Sequence, residues 1–234
     1  GGALSKISWA YGIIKNDFFT SDGASLFLRA VISSLYNNQQ PPISQRLMKI
    51  IFATHNHNKV KELNQLVPKP ISLLSLDDIN CTKEIEETGS TLEENAKIKA
   101  DYVLKKYGLN CFSDDSGLEV DALQGAPGVF SARYAGPEKN NDANIEKIWE
   151  ELGGILNPKA CFRSVFHLNL NGKSYSFEGR VDGKLIYEKR GSGGFGYDPI
   201  FIPEGFEKTF AELGDEVKNK ISHRAKATML LLEH

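Results

Sequence analysis

The run Asp114–Gly117, with the sequence Asp-Asp-Ser-Gly, places two carboxylates side by side. It follows the apolar stretch Leu109–Phe112, which we predict to be a strand that ends where the carboxylates begin. Acidic groups at the carboxyl end of a strand lie where α/β folds bind their ligands. Adjacent like charges cost free energy unless a cation or a proton neutralises them. The run therefore indicates either a cation site or a simple turn of Asp, Ser and Gly.

More carboxylates occur earlier in the chain, at Glu86, Glu87 and Glu94. Together with Asp114 and Asp115 they could form a site of hard oxygen ligands. Mg²⁺ suits such a site best, because it takes few carboxylates and keeps several waters or substrate phosphates.

The segment Thr54–Lys59 joins the first predicted strand to the first predicted helix. Helix N-termini expose unpaired N–H groups that favour anions, and Lys59 adds a positive charge there. The glycines of a Walker loop are missing. His55 and His57 have no acidic residue or third histidine beside them in sequence, so they predict no metal site. A capped loop with a solvated lysine remains the alternative.

The segment Gly191–Gly196 matches the spacing GxGxxG, but it is not a dinucleotide fingerprint. That fingerprint needs a helix after it, whereas a segment with proline and strand character follows here. What remains is a glycine-rich loop that presents Phe195 and Tyr197. Such aromatic rings either stack on a base or anchor the loop to the core.

The run Ser222-His223-Arg224 begins the last predicted helix. A cation in the first turn of a helix is disfavoured by the helix dipole. A bound anion or polar ligand would offset that cost, and a solvated Arg224 is the alternative.

These segments must be positioned by an alternation of strands and helices. Asn171-Gly172 between two alternating segments is a strong hairpin signal, and it adds antiparallel pairing to the sheet. We therefore predict an α/β fold with a mixed central β-sheet flanked by helices. The predicted strands are 49–53, 71–74, 118–120, 161–170, 173–178 and 198–202, and the predicted helices are 60–67, 92–107, 142–152 and one from Ser222.

Composition limits the class of protein. A net charge of −2 over 234 residues gives no electrostatic footprint for polymeric nucleic acid. The three cysteines are far apart, which predicts reduced thiols in a cytoplasmic protein. No apolar run is long enough to predict a membrane span.

Residues 1–47 differ from the remainder of the chain. They carry a net charge of +2, whereas residues 48–234 carry −4. The polar, proline-containing stretch Asn37–Pro42 resembles a linker. We predict an extension of unknown origin, accessory or artificial, over 1–47 and one domain over 48–234.

Taken together, the motifs resemble the inosine triphosphate pyrophosphatase family, the hydrolases of deaminated purine nucleoside triphosphates. They occur in the family's order over about four fifths of the chain. They are Thr54-x-Asn56-x-x-Lys59, Glu87-Thr88-Gly89, Glu94-Asn95-Ala96, Asp114–Leu118, Gly125–Gly128, Ser131–Tyr134, Gly193–Pro199 and Ile221–Arg224.

The resemblance implies two lobes with an active-site cleft between them. It also implies Mg²⁺-dependent hydrolysis of ITP, dITP and XTP to the monophosphate and pyrophosphate, by a cytoplasmic homodimer. By motif match, Asp115 would be the general base or a metal ligand, and we predict Glu86 as the second ligand, with Glu87 and Glu94 as alternatives. The implied substrate-binding residues are Thr54, His55, Asn56, His57, Asn58, Lys59, Ser116, Phe195, Gly196, Tyr197, Asp198, Lys218, His223 and Arg224.

Two other functions fit parts of the pattern. A nucleotide sensor of the same fold would need the phosphate loop and the base pocket, but not the acidic pairs. A hydrolase of another nucleotide would keep the acidic pairs and change the residues around Ser222–Arg224.

Overall fold

The structure is a computed structural model that describes residues 48–234, so the predicted extension over 1–47 lies outside the described residues. In the described part, one mixed sheet has the strand order β2-β1-β3-β4-β5-β6. The predicted α/β fold with a mixed sheet is confirmed. The strands are β1 (Met48–Phe52), β2 (Ile71–Leu74), β3 (Cys111–Val120), β4 (Lys159–Leu170), β5 (Lys173–Leu185) and β6 (Phe201–Pro203).

Helices cover this sheet. They are α1 (His57–Leu66), α2 (Leu92–Tyr107), α3 (Asn141–Leu152), α4 (Phe210–Ile221) and α5 (His223–Glu233). Capping residues close several helix ends: Gly108 ends α2 in the left-handed conformation, and Ser222 accepts from the Ala225 N–H at the start of α5. Within residues 48–234, no helix has both the length and the apolar character that a membrane crossing requires.

The hairpin of β4 and β5 is the longest pairing in the sheet. Its turn residues Asn171 and Gly172 have φ of 51° and 77°, which is the conformation that an Asn-Gly turn between twisted strands adopts. Both strands extend beyond the predicted bounds, from Lys159 to Leu185. This hairpin gives β3 a long antiparallel partner.

The strand that carries the two aspartates differs from the prediction. β3 does not end before Asp114 but continues through Asp115 to Val120. Its parallel pairing with β1 ends at Phe112, whereas its antiparallel pairing with β4 continues. On the edge that β1 leaves open, the ammonium groups of Lys59 and Lys99 lie 3.2 and 3.0 Å from the Asp114 carbonyl oxygen. These cations make charged residues tolerable in the interior of a strand.

The segment from Asp198 was also predicted as a strand, from Asp198 to Ile202. It begins instead as a 3-10 turn, Asp198–Ile200, and only Phe201–Pro203 pairs with β5. Pro199 explains the difference, because proline has no N–H for a strand ladder and favours the first turn of a helix.

The start of α5 lies directly on the sheet because β5 has a glycine there. A Cβ atom on Gly179 would lie 1.9 Å from the His223 carbonyl oxygen. The absence of a side chain therefore allows His223 and Arg224 to approach the strands.

Candidate active site

A cavity of about 760 Å³ lies at the carboxyl end of β1 and beside β3. Its walls come from the loop before α1, the segment Glu84–Glu87, the middle of β3, the segment Val129–Arg133 and the start of α5. Residues from both ends of the described chain therefore meet in one place.

The predicted site residues come together in this cavity, with one exception. The predicted residues that line it are Thr54, His55, Asn56, Asn58, Lys59, Glu86, Asp115, Ser116, Phe195, Gly196, Tyr197, Asp198, Lys218, His223 and Arg224. His57 is not among the lining residues. Its side chain is 86% exposed beside Asp77 at the first position of α1. The structure therefore does not support His57 as a substrate contact.

Asp114 is the buried anchor of the site. Its carboxylate accepts hydrogen bonds from Ser164 Oγ at 2.6 Å and Arg224 Nε at 2.8 Å, and Lys59 Nζ lies 3.3 Å away. Burial alone would raise the pKa of Asp114, but attraction to Lys59 and Arg224 outweighs burial and holds the pKa well below its usual value. Because these oxygens are engaged, Asp114 positions other groups and is not free to react.

Asp115 has a different environment, because successive side chains of a strand point to opposite faces. Its Oδ1 accepts from Lys99 Nζ at 2.8 Å. Its Oδ2 is buried and has no hydrogen-bond partner among the described residues. Burial raises the pKa of Asp115, and attraction to Lys99 only partly offsets this. An unsatisfied buried carboxylate oxygen costs free energy unless a ligand completes it.

Lys99 is a functional residue that the sequence reasoning missed. Its ammonium, which is nearly buried, bridges Asp115 and Glu87 at 2.8 and 2.7 Å. Burial would lower the pKa of Lys99, but the two carboxylates raise it above its usual value. The available signal was its position in α2, where it shares the buried face with Leu92, Ala96 and Val103. A lysine on a buried face is rare unless it is paired.

Glu62 of α1 was also missed. It accepts from Lys218 Nζ at 2.5 Å and forms a short contact with the Arg224 guanidinium. Lys218 also donates to Asp198 at 2.6 Å. Burial would raise the pKa of Glu62, but Arg224 and Lys218 lower it. Glu62 therefore orients both Lys218 and Arg224, two of the predicted substrate-binding residues.

Aromatic side chains form one wall of the cavity. The rings of Phe162 and His223 are stacked with centroids 4.9 Å apart. The centroid of the Phe195 ring lies 5.0 Å from Lys218 Nζ. Burial, followed by Arg224 and Lys218, lowers the pKa of His223 well below its usual value, so the ring is neutral. Its Nδ1 is buried without a partner in the described part of the chain. This wall can therefore hold a planar ring and form one hydrogen bond with it.

Tyr197 has a structural role in the same wall. Its hydroxyl group donates to the Ser131 carbonyl oxygen at 2.8 Å, and its side chain is buried. Of the two aromatic residues predicted on the glycine-rich loop, Tyr197 anchors the loop to the core, and Phe195 is the more accessible ring.

The cavity has few unengaged donors for a divalent cation. Among the described residues, no group of three or more His, Cys, Asp or Glu side chains is already assembled for a metal. Glu87 is bound by Lys99 and Arg133, and Glu94 is bound by Ser90. This leaves Asp115 Oδ2 and the exposed Glu86. Two carboxylates suit Mg²⁺ only if water and substrate oxygens supply the other ligands.

The charges of the cavity are nearly balanced. Six cationic side chains line it: Lys59, Lys99, Arg133, Lys139, Lys218 and Arg224. Five carboxylates line it: Glu84, Glu86, Glu87, Asp115 and Asp198. Two further carboxylates pair with these cations without lining the cavity: Asp114 with Lys59 and Arg224, and Glu62 with Lys218. Within residues 48–234, the cavity therefore has no excess of positive charge to offer a polyanionic ligand.

Comparison with known proteins shows the family to which this chain is similar. A family model described as the Ham1 family matches residues 50–234. A dITP/XTP pyrophosphatase from Christiangramia forsetii is 57% identical over 187 residues, which cover 80% of this chain and 98% of that protein. A solved Ham1 protein from Coxiella burnetii has a TM-score of 0.72 and 38% identity, covering 80% of this chain and all of that one. The Ham1 protein of Staphylococcus aureus has a TM-score of 0.71 and 40% identity, covering 78% and 95%.

The Asp114 anchor predicts a specific loss of stability. Asp114→Asn should lower the free energy of unfolding at pH 7 by about 3–5 kcal/mol, because Lys59 loses its carboxylate partner and the buried Arg224 keeps only Glu62. Glu216→Gln is the control, since its ion pair with Lys220 is exposed and is worth at most about 1 kcal/mol. Urea unfolding measures both.

The pH dependence of this stabilisation follows from the direction in which the pKa of Asp114 is shifted. The folded pKa of Asp114 is lowered, so its contribution is fully present above the unfolded pKa of about 4 and is lost as the pH falls towards the folded pKa. The difference between the parent protein and Asp114→Asn should therefore shrink below about pH 4. A difference that is the same at pH 7 and pH 3 would contradict this role.

Proposed function

This chain belongs to the Ham1 family, and we propose that it hydrolyses ITP, dITP and XTP to the nucleoside monophosphate and pyrophosphate in a Mg²⁺-dependent reaction. The membership places it among the nucleoside triphosphate pyrophosphatases. One observation carries the proposal: the buried Oδ2 of Asp115 has no hydrogen-bond partner among the described residues. It lies beside Lys99, inside a cavity with a planar aromatic wall.

The triphosphate would bind near the loop before α1. Asn56 caps this helix by accepting from the Asn58 and Lys59 N–H groups, and it donates its own N–H to Thr54 Oγ1. These bonds give the loop one conformation and keep Lys59 in the cavity wall. Lys59 would then interact with phosphate as a point charge.

Asp115 would take the proton of the attacking water. The water oxygen forms a bond to the α-phosphorus, the bond from that phosphorus to the bridging oxygen breaks, and pyrophosphate leaves. Because burial raises the pKa of Asp115, the carboxylate is a better base at neutral pH than an exposed aspartate. Lys99 holds the other oxygen and so directs Oδ2 towards the reacting atoms.

Glu86 and phosphate oxygens would hold Mg²⁺, with Asp115 joining them in the alternative in which it is a metal ligand and not the base, and the cation would supply positive charge to neutralise the leaving pyrophosphate. Support comes from the near balance of charge in the cavity, which lacks the positive excess that a triphosphate needs.

Base selection would rest on His223. Hypoxanthine and xanthine present an oxygen acceptor at position 6, whereas adenine presents an amino donor. A neutral His223 with a proton on Nδ1 would donate to the oxygen, and the adenine amino group would leave that donor unpaired, at a cost of about 1–3 kcal/mol. Arg224 is also among the substrate-binding residues that the resemblance implies. Its three guanidinium nitrogens already bind Asp114, Glu62 and Ser116, so it is better suited to positioning.

We further propose that the enzyme is a homodimer of the cytoplasm. The cytoplasmic proposal is supported by the three cysteines, which are free and buried. Exposed apolar side chains such as Phe130 and Leu156, at 55% and 84%, support an interface.

The reaction is tested by pyrophosphate release from dITP, XTP, dATP and dGTP with and without Mg²⁺. We expect Mg²⁺-dependent turnover of dITP and XTP, and a decrease of at least about 100-fold in Asp115→Asn, because the reacting oxygen is lost. Asp121→Asn, an exposed residue just beyond β3, is the matched control. Equal turnover of all four nucleotides would contradict the base selectivity, and binding of dITP without turnover would support the sensor.

The base contact is tested by His223→Phe, which keeps the stack on Phe162 and removes the ring nitrogens. The kcat/KM for dITP should fall about 5- to 150-fold, with little change for dATP, because only the 6-oxo group loses its donor. His223→Gln retains a donor and should lie between the two. An unchanged ratio of dITP to dATP turnover in His223→Phe would exclude this contact.

A further inference from the structure

Two ion pairs join the acidic segment Glu84–Glu87 to the opposite wall of the cavity. Arg133 contacts Glu87 at 3.2 Å, and Lys139 contacts Glu84 at 2.7 Å. Both cations line the cavity, and Lys139 comes from the loop that precedes α3.

Lys139 differs from the other five cations of the lining in the burial of its partner. Every carboxylate that contacts one of those five has a side chain at most 27% exposed. The Glu84 side chain is 79% exposed, and that of Lys139 is 55% exposed. An exposed ion pair contributes little free energy. Lys139 can therefore leave its partner at small cost, whereas the other cations are held in place.

The backbone conformation of Lys139 supports a functional role for this residue. Its φ is 54°, in the left-handed region that is unfavourable for most residues with a side chain. Asparagine occupies three of the other such positions, at Asn80, Asn157 and Asn171. Residues held in this region are concentrated at ligand-binding and active sites.

Lys139 also lies at the phosphate end of the cavity. The Lys83 carbonyl oxygen is 3.3 Å from His55 Nε2, so the start of the acidic segment contacts the loop before α1. Glu84 is the next residue, and it brings the Lys139 ammonium close to that loop.

We propose that Lys139 is a substrate-binding residue that exchanges Glu84 for the β- and γ-phosphates, and that returns to Glu84 when pyrophosphate leaves. The inference rests on the proposed function, because it needs a triphosphate in this cavity. In the free enzyme, the Glu84 carboxylate pairs with the Lys139 ammonium in place of the phosphates. In the complex a more highly charged phosphate replaces it and binds the ammonium more strongly.

Product inhibition of dITP hydrolysis tests this exchange. The variants are Lys139→Asn, which removes the ammonium and keeps a residue that tolerates positive φ, Glu84→Gln, which releases the ammonium, and the double variant. Inhibition constants are measured for pyrophosphate and for dIMP, together with KM and kcat for dITP.

In Lys139→Asn, the KM for dITP and the inhibition constant for pyrophosphate should rise about three- to tenfold. The inhibition constant for dIMP and the kcat should stay within about twofold, because neither depends on the outer phosphates in this proposal. Glu84→Gln should lower the constant for pyrophosphate, and the double variant should behave like Lys139→Asn.

The inhibition constant for pyrophosphate is expected to rise in Lys139→Asn and to fall in Glu84→Gln, and these opposite changes distinguish a substrate contact from a structural ion pair. If the pair only holds the two walls together, both single variants should weaken pyrophosphate binding alike, and that result would overturn the proposal. A dIMP constant that changes as much as the pyrophosphate constant would also overturn it. If the parent enzyme does not hydrolyse dITP, the proposed function fails and the inference fails with it; normal turnover with unchanged constants refutes the inference alone.

Discussion

The buried carboxylate of Asp114 is the interaction on which the arrangement of the site depends. It lies inside β3, and its partners come from three other parts of the chain: Lys59 from α1, Ser164 from β4 and Arg224 from α5. A buried charge is stable only when it is paired, so folding must bring these elements together. As a consequence, the loop that would hold the triphosphate and the helix start that would hold the nucleobase meet at one carboxylate.

The alternation of side chains along β3 gives the two adjacent aspartates separate tasks. Asp114 and Ser116 share a partner in Arg224, whereas Asp115, between them in sequence, contacts Lys99 of α2. Among residues 48–234, one carboxylate is fully engaged and keeps a low pKa, and the other retains an oxygen without a hydrogen-bond partner and a raised pKa. A single strand can therefore supply both the anchor and the reactive group, and a turn at these residues could not separate them in this way.

Much of the fold could be predicted from local patterns, because each of those patterns has a local cause. The Asn-Gly hairpin, the Gly108 cap and the Ser222 cap follow from backbone conformations that few residues adopt. The order of the motifs also indicated the family, and the family match confirms this. The continuity of β3 was not predictable locally, because it depends on distant cations that neutralise its aspartates. Glu62 and Phe162 were missed for the same reason, because each acts through a residue far away in sequence. Lys99 had a local signal, its position on the buried face of α2. His57 was included by motif spacing, but the first turn of α1 leaves it exposed.

We propose that this charge-balanced cavity accepts a triphosphate only together with a divalent cation. Calorimetric binding of a non-hydrolysable α,β-methylene analogue of dITP, with Mg²⁺ and with EDTA at equal ionic strength, tests it most directly. We predict that EDTA weakens binding by at least about tenfold, because the cavity lacks the positive excess to hold several phosphates. Equal affinity under the two conditions would contradict the claim.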